Sequence, residues 1–172
     1  MACSGTVSVP RVLKRFLEFA MQQEELKRYK EEVESEFGKC RVLTAKVDTT
    51  LTNCNDTSDR KAPKGISWID YWRSMTGCYD TRLTCCSCGK VIYAGKVPDV
   101  MVNMYRETGD DASRHKAIGG HMYVEESETG KYPGGRYIAP LCPECNTRRG
   151  VTLPIQKGTK ICKEVGAETT TD

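Results

Sequence analysis

The chain has 172 residues, of which 38% are hydrophobic and 28% are charged, and its formal net charge is +3. This composition is typical of a soluble globular protein with one compact domain or two small units, and so small a net charge does not by itself indicate a nucleic-acid ligand. No run of about 18 apolar residues occurs, so the sequence predicts no transmembrane helix and no membrane partner.

Residues 9–37 are predicted to form one long amphipathic helix. Apolar side chains recur at every seventh position in it, at Val12, Phe19, Leu26 and Val33, and the other positions are largely charged. A stripe with this spacing is typical of a helix that packs one face on a partner surface. Two interpretations stay open: the stripe packs on the rest of the same chain, or it pairs with a second copy or another protein.

The next two segments suggest a boundary. Residues 41–52 are rich in β-branched side chains and partly alternating, which predicts a strand. Residues 53–65 are polar and turn-rich, and we interpret them as a linker. The predicted organisation is an N-terminal helical unit over 1–52, this linker, and a second unit over 66–165. Residues 166–172 are predicted to form a disordered tail.

Residues 66–77 are predicted to form a short helix, because Ser67 can cap its start and Gly77 can end it in a left-handed conformation. A charged loop is expected around residues 107–116. Strands are predicted on either side of that loop, at 90–97, 121–127 and 136–140. The last two strands would form a hairpin, a helix should open at Cys142, and one or two short strands are expected within 151–165.

Four of the ten cysteines form two C-x-x-C pairs, Cys85 with Cys88 and Cys142 with Cys145. The N-terminus shows no secretory signal, so we expect reduced thiols in an intracellular protein, cytoplasmic or nuclear. Two such pairs on one short chain predict a structural Zn²⁺ held by four sulfur atoms. In an alternative ligand set, His115 or His121 replaces one of the cysteines.

The order of the strings CSCG, GGHM and YIAPLCPECN resembles the zinc-bearing branch of the HNH endonuclease-like (His-Me finger) family over residues 68–165. The resemblance implies an α+β fold, a treble-clef zinc domain of knuckle, β-hairpin and helix, preceded here by the long N-terminal helix. It also implies that His121 is the general base that activates water, with Asn146 as a second catalytic residue. Such a nuclease would use Mg²⁺ or Mn²⁺ as a second cofactor.

The chain departs from the family pattern at three points. Gly120 stands where the family often has an acidic metal ligand, and Asn146 stands where it often has histidine. The hairpin loop, KYPGGRY, lacks the asparagine expected there. Glu125 would share a face with His121 if the strand alternates. The alternative role for His121 is to stabilise the hairpin by hydrogen bonding.

Basic residues are concentrated near the C-terminus. Residues 131–163 contain seven basic residues and one acid, a local net charge of +6. Arg136, Arg148 and Arg149 are predicted to contact DNA or RNA through the phosphate backbone, because clustered basic side chains form the electrostatic footprint of such a surface.

Three functions are consistent with these patterns. The first is a zinc-stabilised HNH-like domain that binds nucleic acid without efficient cleavage. The second is a metal-dependent nuclease that uses His121. The third is a protein-interaction adaptor, or a homodimer, that uses helix 9–37.

Overall fold

The computed structural model describes residues 11–46, 49–54, 61–124, 135–148 and 150–166. In these ranges the helices are α1 (Arg11–Phe37), α2 (Trp68–Thr76), α3 (Asp99–Glu107) and α4 (Pro143–Asn146), with 3₁₀ turns at Pro63–Gly65 and Ala112–His115. The strands are β1 (Val42–Thr44), β2 (Thr50–Asn53), β3 (Arg82–Thr84), β4 (Val91–Tyr93), β5 (Ile118–Val124), β6 (Arg136–Leu141), β7 (Thr152–Pro154) and β8 (Lys160–Lys163). The predicted mixed α+β class with an N-terminal helix is confirmed.

Six strands form one antiparallel sheet in the order β1-β8-β6-β5-β2-β7, and β3 pairs with β4 in a separate hairpin. The segment 41–52, predicted as one strand, contains two strands in different parts of the sheet. Between the two strands, the amide of Lys46 donates to Thr49 Oγ1 at 3.0 Å. Strands that precede and follow the predicted linker, 53–65, therefore lie in one sheet.

Helix α2 lies at the centre of the core, on one face of the sheet. The amide of Asp70 donates to the Ser67 side chain at its start, and Gly77 ends it with a φ of 69°. The predicted helix at 66–77 is thus confirmed together with both of its caps. Two lysines stabilise its C-terminal carbonyl groups, because Lys30 Nζ donates to Met75 O and Lys160 Nζ donates to Thr76 O, both at 3.2 Å.

Helix α1 packs on α2 through its second half. Leu26, Tyr29 and Val33 are buried there, and Leu26 O accepts a hydrogen bond from Ser74 Oγ. Phe19 is half-buried, and the side chain of Val12 lies outside the described part of the chain. The C-terminal half of the predicted stripe therefore packs on its own chain.

The first half of α1 exposes apolar side chains. Leu13, Phe16, Leu17 and Met21 are between 51% and 74% exposed. None of the described helices is long and apolar enough to cross a membrane.

Candidate metal centre

Four cysteines meet beside the β5–β6 hairpin. Cys85 and Cys88 lie in the turn that joins β3 to β4, Cys142 directly follows β6, and Cys145 lies in α4. One sulfur atom from each residue lies within 4.8 Å of all the others. The two predicted pairs therefore converge, although more than fifty residues separate them in the chain.

Both turns have the local geometry that a C-x-x-C pair requires. In the first, the amide of Gly89 donates to Cys85 O at 3.0 Å, and Gly89 has a φ of 77°, which a side chain disfavours. In the second, Pro143 occupies the first position of α4, where its missing amide hydrogen has no helical partner to lose. The amide of Cys145 donates to Cys142 Sγ at 3.5 Å.

The spacing of the thiols fits a tetrahedral ion. Four sulfur atoms at about 2.3 Å from a zinc ion lie about 3.8 Å from each other. The distance between Cys88 Sγ and Cys142 Sγ is 3.7 Å. The cluster could therefore hold a metal ion such as zinc, and four protein ligands would leave no open position for substrate.

The electrostatics of the cluster also favour a cation. Burial raises the pKa of the Cys142 and Cys145 thiols, and the nearby Cys85 raises both further. A dication would offset this mutual repulsion by stabilising the thiolates. Cys86 is buried but does not belong to the four-sulfur group, and its backbone carbonyl accepts from the amide of Gln156 at 2.8 Å.

An ion-pair network holds the two halves of the cluster together. Glu144 lies between the two cysteines of the second pair, and its Oε2 is 2.7 Å from Lys90 Nζ, just after the first pair. Its Oε1 accepts from Arg114 Nε at 2.7 Å. Lys90 and Arg114 both lower the pKa of Glu144, and the hydrogen bond with Lys90 has the largest effect. The network thus links the β3–β4 hairpin, α4 and the 3₁₀ turn that contains Arg114.

His115 has other partners. Its Nδ1 lies 2.9 Å from Val91 O, its Nε2 lies 2.8 Å from Asp110, and its ring stacks on Tyr105 at 3.8 Å. Among the described residues, the candidate ligand group consists of four cysteines and includes neither histidine.

His121 lies on β5, on the face that α2 covers. It is 4% exposed, and its ring meets the edge of Trp68 at a centroid distance of 4.6 Å. Its Nε2 lies 3.9 Å from Glu164 Oε2, which in turn lies 2.8 Å from Arg136 Nε. Glu164 could not be predicted at this site from the sequence, because only the pairing of β8 with β6 brings it there.

Asn146 lies on the other side of the strand. A Cβ atom built on Gly120 would meet Asn146 Oδ1 at 2.8 Å, whereas one built on Gly119 would meet the Trp68 backbone. Because side chains alternate along a strand, His121 shares the face of Gly119. The structure therefore does not bring the two predicted catalytic residues together on one face. Glu125 lies outside the described residues.

The three predicted arginines have different environments. Arg136 is half-buried in its ion pair with Glu164, and Arg148 is exposed next to α4. Arg149 lies outside the described residues. The sheet, however, brings positive charges from two distant segments of the sequence together, because β1 and β8 are neighbours.

We call this concentration the basic edge. It consists of exposed or half-buried bases on β1, β8 and the residues that flank them: Lys39, Arg41, Lys46, Lys157, Lys160 and Lys163. Strand register brings the two groups together, since the amide of Lys163 donates to Arg41 O at 2.8 Å and Thr44 pairs with Lys160. The segments 39–46 and 157–163 contain no acidic residue.

No protein family, no characterised protein and no solved structure matches this chain. The cysteine cluster and the placement of the residues around it are thus the basis for inferring function.

Proposed function

We propose that this chain is a zinc-stabilised domain of treble-clef type that binds nucleic acid and does not cleave it. The observation that carries the proposal is the four-sulfur cluster, whose size fits a tetrahedral zinc ion. The order of elements supports the treble-clef assignment, because a knuckle between β3 and β4 is followed by the β5–β6 hairpin and then by α4, which opens at the second pair.

The surroundings of His121 support the absence of cleavage. A hydrolytic Mg²⁺ or Mn²⁺ needs several hard oxygen ligands. Among the described residues, the carboxylate in salt-bridge range of His121 is that of Glu164, and the Arg136 guanidinium already occupies it. A second cation there would be repelled by Arg136. His121 is also buried beneath the Trp68 ring, so a phosphodiester could reach it only if that side chain moved.

Gly120 also disfavours a hydrolytic metal site. An acidic ligand at this position would first need a Cβ atom, and that atom would lie 2.5 Å from Leu141 Cδ1 and 2.8 Å from Asn146 Oδ1. A carboxylate at this position would have to displace the ends of the Leu141 and Asn146 side chains, so the site as packed does not favour the acidic ligand that the HNH resemblance implies.

The basic edge supports the choice of ligand. Apart from Lys160, whose Nζ donates to Thr76 O of α2, the bases of the edge can attract a phosphate backbone, and no acid lies among them. Such binding weakens steeply with salt because counterions are released. Arg41 and Lys157 are both exposed. Arg41 directly precedes β1, and Lys157 lies shortly before β8. The register of β1 and β8 sets the spacing of these bases, so the sheet presents them as a fixed surface rather than as a mobile tail.

A binding assay tests the nucleic-acid part. Retention of single- and double-stranded DNA and RNA should be measured as a function of salt for the full chain, for Arg41→Glu with Lys157→Glu, and for a control with Lys96→Glu and Arg106→Glu on exposed positions elsewhere. We expect the edge variant to flatten the slope of log K against log salt by about 1.4 to 1.8, and the control to leave it unchanged. Equal losses in both variants, or no retention, would contradict the proposal.

Two further measurements test the rest. Metal analysis should find one zinc ion per chain. Cys145→Ser, which removes a ligand, should lose the zinc, whereas the control Cys86→Ser should retain it. Incubation with plasmid and RNA in Mn²⁺ should yield no products. Cleavage that disappears in His121→Ala would replace the proposed binder with a nuclease.

A further inference from the structure

The four thiols of the cysteine cluster differ in their access to solvent. Cys88 is an exposed residue in the turn that joins β3 to β4. The other three, Cys85, Cys142 and Cys145, are at most 2% exposed. Gly89 directly follows Cys88 and has no side chain that could cover it. A reagent in solution therefore reaches the cluster through Cys88.

The chemistry of such a cluster lies at its sulfur atoms. A zinc ion with four sulfur ligands has no open position, so a reagent meets a ligand rather than the metal. The ligands are deprotonated when the metal is bound, and the thiolate is the nucleophilic form of cysteine. Oxidation selects thiolates that solvent can reach. Within the cluster, Cys88 meets both conditions.

A second thiol lies beside Cys88 to complete an oxidation. The distance between Cys88 Sγ and Cys142 Sγ is 3.7 Å. A disulfide bond is about 2.0 Å long, so the two sulfur atoms need to approach each other by about 1.7 Å. Cys142 is fixed between β6 and α4, and the exposed turn that contains Cys88 would supply this movement.

We propose, on the basis of the zinc site proposed above, that Cys88 is the site at which hydroperoxides oxidise the cluster and that Cys142 resolves the product into a disulfide. In the first step, the Cys88 thiolate attacks a peroxide oxygen: an S–O bond forms, the O–O bond breaks, and hydroxide or alkoxide leaves. In the second, the Cys142 thiolate attacks the Cys88 sulfur, the S–S bond forms, and hydroxide leaves. The two sulfur atoms lose two electrons, which reduce one peroxide molecule.

The consequence of this oxidation is loss of the metal. A disulfide between the two turns removes one ligand from each C-x-x-C pair and leaves only Cys85 and Cys145. Sulfur in a disulfide is no longer a thiolate, so it no longer binds zinc as a ligand. A dithiol reductant regenerates both thiolates, and the site then rebinds zinc. The oxidation is therefore reversible, unlike the further oxidation of a thiol to sulfinic acid.

Zinc release from the full chain on addition of hydrogen peroxide provides the test. The zinc-loaded protein is treated with peroxide in the presence of a chromogenic zinc indicator, and its peptides are then mapped by mass spectrometry without reduction. We expect one peroxide molecule to be consumed per zinc ion released, and a peptide pair joined through Cys88 and Cys142. Dithiothreitol and added Zn²⁺ should restore the zinc content.

Two variants sharpen the test. Cys88→His removes the accessible thiol but keeps a zinc ligand, and the exposed position has room for the larger ring. We expect this variant to bind zinc and to lose it to peroxide at least about tenfold more slowly. Cys40→Ser is the matched control, because Cys40 is a partly exposed thiol outside the cluster. Its substitution should leave the rate of zinc release unchanged.

The possible failures can be told apart. A chain that contains no zinc would refute the proposed metal site and, with it, the role of Cys88. A zinc-containing chain that keeps its metal in peroxide, or that releases it equally fast in Cys88→His, would overturn the role of Cys88 alone. So would a first disulfide that lacks Cys88 or Cys142, which the peptide map detects in the unaltered chain even if Cys88→His does not fold.

Discussion

Gly119→Ala tests the contact between α2 and the sheet most directly. A Cβ atom at Gly119 would lie 2.3 Å from the carbonyl carbon of Trp68 and 2.6 Å from the amide nitrogen of Ile69. Both atoms belong to the backbone of the first turn of α2, so no side-chain rotation can relieve the clash. Since ordinary contact begins near 3.4 Å, the helix would have to move by about 1 Å.

The size of the effect follows from what moves with the helix. Overpacking a core typically costs about 1 to 3 kcal/mol. Replacing glycine by alanine also stabilises the folded state by less than about 1 kcal/mol, because the unfolded chain has fewer conformations to lose. Seven residues of α2 are buried, so a displacement disturbs many contacts at once, and we expect a loss at the top of the range, about 3 kcal/mol. For a chain of this length, that corresponds to a fall in Tm of about 6 to 12 °C.

Gly120→Ala is the matched control. Its new Cβ atom would meet the ends of two side chains, Leu141 Cδ1 and Asn146 Oδ1, which can shift. We expect a loss of about 1 kcal/mol. Urea unfolding followed by tryptophan fluorescence and circular dichroism measures both variants. If Gly119→Ala proves no more destabilising than Gly120→Ala, the close approach of α2 to β5 does not exist as described.

Three further outcomes are expected. Val33→Ala, at a fully buried contact of α1, should lower the free energy of unfolding by about 2 kcal/mol, whereas Leu13→Ala, at an exposed position of the same helix, should change it by less than about 0.5 kcal/mol in the same urea titration. A hydrogen bond with Cys162 lowers the pKa of the Cys40 thiol to about 7, while burial raises that of Cys54 to about 11. Iodoacetamide labelling read by mass spectrometry should therefore show Cys40 reacting faster at neutral pH, with a rate that rises through pH 7; equal rates for the two thiols would contradict this. Removal of zinc with a chelator should lower Tm by more than 10 °C and be reversed by added Zn²⁺, because metal binding contributes directly to folding; an unchanged Tm would show that the cysteine cluster does not support the fold.

Local features of the sequence predicted part of this structure well. Ser67 and Gly77 predicted both ends of α2, because a capping residue acts on backbone groups only a few residues away from it. The C-x-x-C spacing likewise predicted which thiols would converge, since a metal imposes one geometry on its ligands wherever they lie in the chain.

Features that depend on distant pairing were not predictable in the same way. The single strand expected at 41–52 became two strands, because β1 joins β8 at one edge while β2 lies between β5 and β7. The partner of His121 also depended on register, since β8 brings Glu164 next to Arg136. The exposed apolar face in the first half of α1 was not predicted, because a seven-residue repeat describes one seam, whereas α1 has two apolar faces at different positions along its length.

The position of β8 has a consequence for synthesis. Its strand lies between β1 and β6, yet it is formed by some of the last described residues of the chain. While the ribosome is still adding residue 159, β6 has one unpaired edge and β1 has no neighbour at all. A nascent chain at that stage exposes strand edges of the kind that aggregate, so β8 must be synthesised before the sheet can close, and a chaperone would be most useful in that interval.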